Sequence, residues 1–393
     1  MVEWKKLGTL GSFENIGTDK KINDGEKLVT LLNYVDVYHY KHIDASIPQM
    51  VVSASDKKIK DCSVEQGDIF VTPSSETVDD IGHSSVIEET ISNAVYSYHI
   101  MRYRLFDKNL LLSYYINYAF DTDIVKKQIL KRAQGLTRFG LSKDKFASIE
   151  VPIPSISEQQ RIVGILDTFS SSIANLKEQI ALRRKQYEYY RDQLLDLEGK
   201  EGVEMKTLGE ICKIGDGLHG TPIYDENGDY FFINGNNLSD GKIILKLETK
   251  KVDEEMFRKY GVELDEESIL MSINGTIGNV AQYRNEKIVL GKSAAYFRVK
   301  NKDVLHFKYL YYYLQTTKAN EYYNGALTGS TIKNLGLKAL RDFDLPIPPF
   351  SEQQRIVSIL DTFEASIQNL EAQLKEREKQ YEYYRNKLLT FEE

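Results

Sequence analysis

The chain has 393 residues, with 51 lysines and arginines against 58 aspartates and glutamates, a formal net charge of -7 and 41% hydrophobic residues. That length predicts two domains plus connections, and the acidic balance argues against wrapping the whole chain around nucleic acid while leaving local basic patches open. Cys62 and Cys212 are the only cysteines and form no metal or redox spacing, which predicts a reducing cytoplasm, and neither a signal-like apolar core at Met1-Val2-Glu3-Trp4-Lys5-Lys6 nor an apolar run of the ~18 residues a membrane span needs is present.

In chain order, residues 3–150 read as a first mixed α/β unit. It opens with Trp4-Lys5-Lys6-Leu7-Gly8, and short apolar-polar runs separated by Gly, Asn and Asp turns follow. Strands are predicted at 68–74 and 95–105, then a tyrosine-rich helix at 110–118 and a basic helix carrying Lys126, Lys127, Lys131 and Arg132. That basic face suits phosphates and a solvated helical surface equally. A Gly135-Leu136-Thr137 turn, a short helix and Pro152-Ile153-Pro154 close the unit.

Next comes Ser157-Glu158-Gln159-Gln160-Arg161-Ile162-Val163, which opens one long predicted helix. Ser157 is an N-cap candidate, with Gln160 completing a capping box. Ile162, Leu166, Phe169, Ile173, Leu176 and Ile180 alternate steps of four and three, the spacing of a coiled coil, and Tyr187, Tyr190, Leu194 and Leu197 resume it after a skipped seam position at Arg183. Such a helix of about 40 residues is ~60 Å long and cannot bury its stripe alone. Tyr187, Tyr189 and Tyr190 read as helix packing or as a docking surface for a partner helix.

After a hinge at Glu198-Gly199-Lys200-Glu201-Gly202, the skeleton repeats. Met205-Lys206-Thr207-Leu208-Gly209 matches the first opening, 268–274 matches 68–74, 293–299 reads as a later strand, 308–314 as the second tyrosine-rich helix, and Gly329-Ser330-Thr331 as the second turn. The helix text then returns 194 positions after its first copy, with Ser351 as N-cap candidate and Gln354 as its partner. Ile356, Leu360, Phe363, Ile367, Leu370 and Leu374 form the second stripe, interrupted at Arg377. SEQQRIV, ILDTF and KQYEYYR are identical in both copies, whereas the globular units share little beyond their skeleton.

The expected fold is therefore α+β: two mixed α/β domains, 1–156 and 199–350, separated by two long antiparallel coiled-coil helices, 157–198 and 351–393, in a pseudo-two-fold internal repeat. Domain termini usually lie close together. The second helix is thus expected to run back along the first, with the globular units at opposite ends of a rigid rod. One chain would then present two different surfaces on one architecture, as a reader of two short sequences needs.

At this point the chain resembles the specificity subunit of a type I restriction-modification system. The resemblance covers essentially the full length and rests on the duplicated Pro152-Ile153-Pro154…Ser157-Glu158-Gln159-Gln160-Arg161-Ile162-Val163 arrangement with its long helix. Gly215-Asp216-Gly217-Leu218-His219-Gly220-Thr221-Pro222, Gly275-Thr276-Ile277-Gly278 and Gly329-Ser330-Thr331 support it. It implies two target recognition domains, each reading half of a split double-stranded DNA site. It also implies paired helices that set the gap and hold two methylation subunits, with S-adenosylmethionine as the cofactor of those partners and none in this chain. Motor-nuclease subunits would complete a restriction enzyme in the cytoplasm, with no membrane partner and no catalysis by this chain. Half-sites on one face of B-DNA fall roughly a helical turn apart, ~34–36 Å, a distance a ~60 Å rod with overlapping ends can serve.

Polar and basic loop positions are the candidates for DNA contact, since Arg and Lys suit guanine edges and phosphates and Asn suits adenine. In the first unit they are Lys20, Lys21, Lys57, Lys58, Ser74, Ser75, Thr137 and Arg138. In the second they are His219, Thr221, Asn234, Asn236, Asn237, Asn274, Lys292, Thr331 and Lys333. Each taken singly is more often just a solvated side chain, and the collective signal is better than any member.

Other motifs carry less. Gly215-x-Gly217-x-x-Gly220 has the letters of a dinucleotide fingerprint, but Thr221-Pro222 follows where a helix is required, so a DNA-facing or plain structural loop is expected. Ile347-Pro348-Pro349-Phe350 resembles the core of an adenine methyltransferase site but begins with an isoleucine that cannot bond a base, so a rigid connector is expected. His39 and His42 lack a metal-ligand partner set, and no triad stands out among the six histidines and scattered serines. The rival from another class is a coiled-coil scaffold binding two protein partners without DNA readout, and a self-contained enzyme is the third possibility.

Overall fold

The computed structural model of the chain describes residues 2–329 and 331–391. Ser330, in the second Gly-x-Thr turn, and Met1, Glu392 and Glu393, at the edges of the expected first domain and second helix, lie outside the described residues. The chain divides into two compact units that cut across sequence order: residues up to 176 with those from 373 onward, and residues 177–372. Each unit thus owns one globular domain, the first half of the long helix that follows that domain, and the last half of the other long helix.

In unit one, a five-stranded sheet is ordered Gly11–Glu14, Met101–Leu105, Ile69–Val71, Ser84–Ile87, His42–Ile43. A four-stranded sheet is ordered Met50–Ala54, Lys27–Leu32, Ile91–Tyr96, Ser63–Val64. In unit two, Ile269–Asn274 is the hub of a six-stranded sheet and pairs with Thr276–Gln282, Ala294–Val299 and Asn334–Leu335. A smaller sheet joins Lys251–Val252, Tyr230–Ile233 and Ile288–Leu290.

The hub strands read as unbroken apolar runs because both faces are buried. Side chains alternate across a strand, so Ile69 and Val71 enter the core shared with the long helices while Phe70 enters the core of the smaller sheet. Ile269, Met271 and Ile273 likewise enter one core and Leu270 the other. The predicted strand at 95–105 is two strands, Ile91–Tyr96 and Met101–Leu105, broken by a turn at 97–100. Ile100, the last residue of that turn, is fully buried, so hydropathy runs on through the interruption.

The long helices span Ile156–Leu195 and Phe350–Thr390. The expected N-caps Ser157 and Ser351 are instead inside the helices. Ser155 Oγ accepts the Glu158 N–H at 3.3 Å, and Pro349 stands in the equivalent place of the second copy. The expected capping partner Gln160 is exposed; its neighbour Gln159 is fully buried and does a different job. Its Oε1 accepts the Leu112 N–H at 2.9 Å, and its Nε2 donates to Leu110 O at 3.1 Å and Pro154 O at 3.0 Å. Gln353 repeats this with His306 N–H at 2.9 Å, Val304 O at 2.8 Å and Pro348 O at 3.0 Å. A buried amide satisfied at both ends ties the helix start to the loop before the tyrosine-rich helix.

Those tyrosine-rich helices, Ser113–Ala119 and Phe307–Tyr313, dock on the long helices and on the strands that precede them, Glu150–Ile153 and Asp344–Ile347, through matching bonds. Tyr115 Oη donates to Pro152 O and Tyr309 Oη to Pro346 O, both at 2.8 Å. Tyr118 Oη donates to Asp167 and Tyr312 Oη to Asp361, both at 2.5 Å.

Within each unit the helix pieces pair antiparallel. In unit two, Arg184 meets Glu371 at 2.6 Å, whereas further along the first helix Tyr190 stacks on Phe363 at 5.5 Å. Unit one repeats the stack with Tyr384 on Phe169, also at 5.5 Å. The skipped seam positions are filled by cations lying over those same rings: Arg377 over Phe169 at 5.6 Å and Arg183 over Phe363 at 6.0 Å. Ile162, Leu166, Ile356 and Leu360 are fully buried against the globular cores, and Ile367 is nearly so. Phe169, Ile173, Leu176, Ile180, Phe363, Leu370 and Leu374 are half-buried, as expected where only a second helix covers them.

Candidate nucleic-acid interface

Each unit gathers loops from several strands at one rim, and the same backbone frame does the gathering. Parallel strand pairs end in register: Leu32 opposite Tyr96 in unit one, Ile233 opposite Leu290 in unit two. Beyond them, the Ser97 N–H donates to Leu32 O and the Gly291 N–H to Ile233 O, both at 2.8 Å. A third segment crosses as a one-residue bridge, Thr18 with Ser97 and Leu218 with Gly291. The next residue of the first strand caps a turn in both units. Asn33 Oδ1 accepts the Val35 N–H while the Asn33 N–H donates to Asp36, and the Asn234 N–H donates to Asn237 Oδ1 at 2.9 Å.

In unit one this frame brings together most of the sequence-predicted residues. Ser74–Ser75 pairs with Phe139–Gly140, and reciprocal backbone bonds between Gln134 and Gly140 close a loop that projects Thr137 and Arg138 into solvent. Gly135 makes the closure possible: at φ 144° its position leaves no room for a Cβ, which would sit 1.9 Å from Arg138 O. Arg138 Nη2 donates to Ser74 Oγ at 3.3 Å. Lys20 and Arg138 both act on His99, whose pKa is held below the ordinary histidine value by partial burial first and by these two cations next. Lys21, Lys58 and Tyr98 line one open cleft. Lys58 serves the fold as well, donating to Ile16 O at 2.9 Å and Gly17 O at 2.7 Å, while Lys57 is exposed on the helix Asp56–Asp61.

Unit two assembles its candidates through a chain of bonds. The Lys292 N–H donates to Leu218 O at 3.0 Å, placing Lys292 beside the loop that carries His219 and Thr221. Ser293 Oγ accepts the Gly235 N–H and donates to Asn234 Oδ1, both at 2.9 Å. The Ile273 N–H donates to Ser293 O, and the Gly275 N–H to Lys333 O, both at 3.0 Å. Asn274 Nδ2 donates to Asn334 Oδ1 at 3.4 Å. Asn234 and Asn237 therefore hold loops together, Asn237 also donating to Ile244 O at 3.1 Å, whereas Asn236, Lys292, Thr331, Lys333 and His219 reach solvent. His219 pairs with Asp216 at 2.8 Å.

Sequence reasoning missed Tyr98 and His99, which lie in the turn read as mid-strand. Their position follows from the frame, since Leu32 aligns with Ile233, Tyr96 with Leu290, and hence Tyr98 with Lys292. The Asn33–Asp36 and Asn234–Asn237 pairs were the available clue in the text.

The remaining motifs have other roles. Gly215 sits in the strand Cys212–Asp216 and no helix follows Gly220, so the segment lacks the helix N-terminus a dinucleotide phosphate needs. Pro348-Pro349 links the strand Asp344–Ile347 to the long helix. Lys126, Lys127 and Lys131 are exposed on Asp123–Arg132, while Arg132 donates to Ser148 Oγ and Gln128 O at 3.0 Å each. Cys62 and Cys212 are buried free thiols, and burial raises the Cys212 pKa to about 12. Among the described residues no His/Cys/Asp/Glu group could hold a metal ion, and no helix is long and apolar enough to cross a membrane.

Comparison with known proteins adds four observations. A family model described as the type I restriction modification DNA specificity domain matches twice, at residues 1–182 and 200–378. The EcoR124I/EcoR124II specificity subunit of Escherichia coli is 31% identical over 272 residues, covering 66% of this chain and 66% of that protein, just under two thirds of its length. In fold, the chain is similar to the type I restriction-modification S subunit of M. genitalium (TM-score 0.56, 15% identity, 100% and 97% of the two chains covered). It is similar also to a chain from work on complex assembly and conformational transition of the type I R-M system (TM-score 0.62, 16% identity, 98% and 97% covered).

Proposed function

Since the chain belongs to the type I restriction modification DNA specificity domain family, we propose that it is the sequence-reading subunit of a type I restriction-modification complex. Each globular domain reads one half of a bipartite duplex site. The paired long helices fix the unread gap and scaffold two adenine-N6 methylation subunits, to which motor-nuclease subunits add. The chain itself catalyses nothing, and S-adenosylmethionine belongs to the methylation partner.

The observation that carries this reading is the pair of rims built on one backbone frame with different side chains. A scaffold for two like partners would favour like surfaces, as the identical KQYEYYR segments of the helices illustrate. The rims instead diverge and present Lys20, Lys21, Arg138 and Ser74 in one unit against Lys292, Lys333, Asn236 and Asn274 in the other, donors suited to phosphates and base edges.

The test is a methylation map. The chain is co-expressed with a type I methylation subunit and host DNA is sequenced for N6-methyladenine. The expected result is a split motif, methylated on opposite strands and lost when this chain is omitted. A stable complex that leaves no such motif, together with duplex binding that shows no log-log fall with salt, would support the protein scaffold instead.

A further inference from the structure

The rim turn itself is the same structure in both units. The Thr18 N–H donates to Tyr96 O and the Leu218 N–H to Leu290 O, each at 2.8 Å. The turn is closed by the Ile100 N–H to Ser97 O at 3.1 Å in unit one and the Ala294 N–H to Gly291 O at 3.0 Å in unit two. What differs is the display: Tyr98-His99 in one, Lys292-Ser293 in the other.

Tyr98 is 48% exposed and packs its ring on His99, centroids 4.0 Å apart. Neither side chain makes a hydrogen bond among the described residues, although the His99 backbone N–H is held by Ser97 Oγ. In unit two Ser293 is consumed by Asn234 and Gly235, so Lys292 alone faces outward. An architecture that fixes a turn this tightly and leaves its outward-facing side chains, Tyr98 and His99 in one unit and Lys292 in the other, unbonded and dissimilar has the form of a fixed arm with exchangeable tips.

Resting on the DNA-reading function above, we propose that this turn selects the bases of each half-site, Tyr98 and His99 in unit one and Lys292 in unit two. Lys292 offers an ammonium to the O6 and N7 acceptors of guanine. Tyr98 offers an aromatic face to a thymine methyl or an unstacked base and a hydroxyl beside it. His99, whose pKa is lowered by partial burial first, offers in its neutral form one ring donor and one ring acceptor to a base edge. The flanking cations Lys20 and Arg138 are placed to hold the phosphates on either side.

The experiment is selection of binding sites from a randomised duplex library by the full chain at one fixed salt concentration. The unaltered chain is expected to select two half-sites. Transplanting unit two's tip into unit one, Tyr98→Lys with His99→Ser, should change the preferred bases at one or two adjacent positions of one half-site. The expected discrimination shift is roughly fivefold to a hundredfold, with the other half-site intact. Lys292→Ala should relax the other half-site only. Two unchanged half-sites in both variants overturn the assignment, as does a uniform loss of affinity across all sequences, which marks phosphate contact. Should the double variant unfold, Tyr98→Phe and Lys292→Ala decide the matter, because each removes only solvent-facing atoms. If the unaltered chain selects no sequence at all, the DNA-reading function fails first and this assignment falls with it.

Discussion

Gln159 offers the sharpest test of how a long helix is fastened to its domain. It is fully buried and its carboxamide serves three backbone groups. Gln159→Ala leaves the Leu112 N–H and the buried Pro154 carbonyl without partners, while Leu110, an exposed residue, can recover water. An orphaned buried group costs ~1–3 kcal/mol, so the loss for two is about 2–6 kcal/mol, a large share of the ~5–15 kcal/mol that holds a typical domain. Trp4 is the only tryptophan and sits in a strand paired with Glu150–Ile153 of unit one, so its fluorescence in urea reports this unit. At an m-value of about 2 kcal/mol/M the midpoint should fall by roughly 1–3 M. Gln159→Glu keeps an acceptor for Leu112 but turns a carboxylate toward two carbonyls. Its folded pKa must therefore rise, and stability should return as pH falls toward the unfolded value, ~4.3. A loss below about 1 kcal/mol for Gln159→Ala would refute the fastening role and mean that water replaces the amide.

Tyr312→Phe removes a 2.5 Å bond to Asp361, which keeps its 2.7 Å pair with Lys308. Unit two should lose about 1–3 kcal/mol in calorimetry, and an unchanged transition would show that the pair is solvent-screened. Glu364 has its pKa raised, by burial first, beside the hydroxyls of Tyr311 and Tyr187 at 3.3 and 3.4 Å. A raised carboxyl pKa means the folded state holds a proton the unfolded chain has released. Its contribution is therefore complete below the unfolded value and declines as pH rises through the folded one. Urea titrations at several pH values should show this slope in the parent and its loss in Glu364→Gln; the same slope in both proteins would assign it elsewhere. Inserting one heptad into each long helix adds ~10 Å to each, and the methylation map should show a gap about three base pairs longer with both half-sites unchanged. Altered half-sites at a constant gap would remove the helices from the spacing role.

The repeat, the two long helices and the tyrosine-rich helices were legible because each is written in local periodicity, and local periodicity survives without knowledge of the partner. The rim residues were legible as a class, since Lys20, Ser74, Arg138, Lys292 and Lys333 are polar residues in turn-rich text. Their grouping was not, because hydrogen bonds between segments far apart in the chain, such as Gly275 to Lys333 and Arg138 to Ser74, bring them together. The same holds for the buried amides: Gln159 and Gln160 are the same letter, and only the position of the 110–112 loop makes one a structural fastener and leaves the other in water.

The sequence by itself determined that the chain is a duplicated α+β protein with coiled-coil helices, because side-chain spacing dictates which face of a helix or strand must leave water. Only the tertiary structure decided that residues 97–100 turn rather than continue a strand, since the hydropathy of Val95 to Leu105 is satisfied either way. It also decided that each compact unit borrows the far half of the other copy's helix, since a stripe specifies that it must be buried but not by what. Burial is a local demand that one sequence window can state, whereas the partner that meets it is a property of the folded chain.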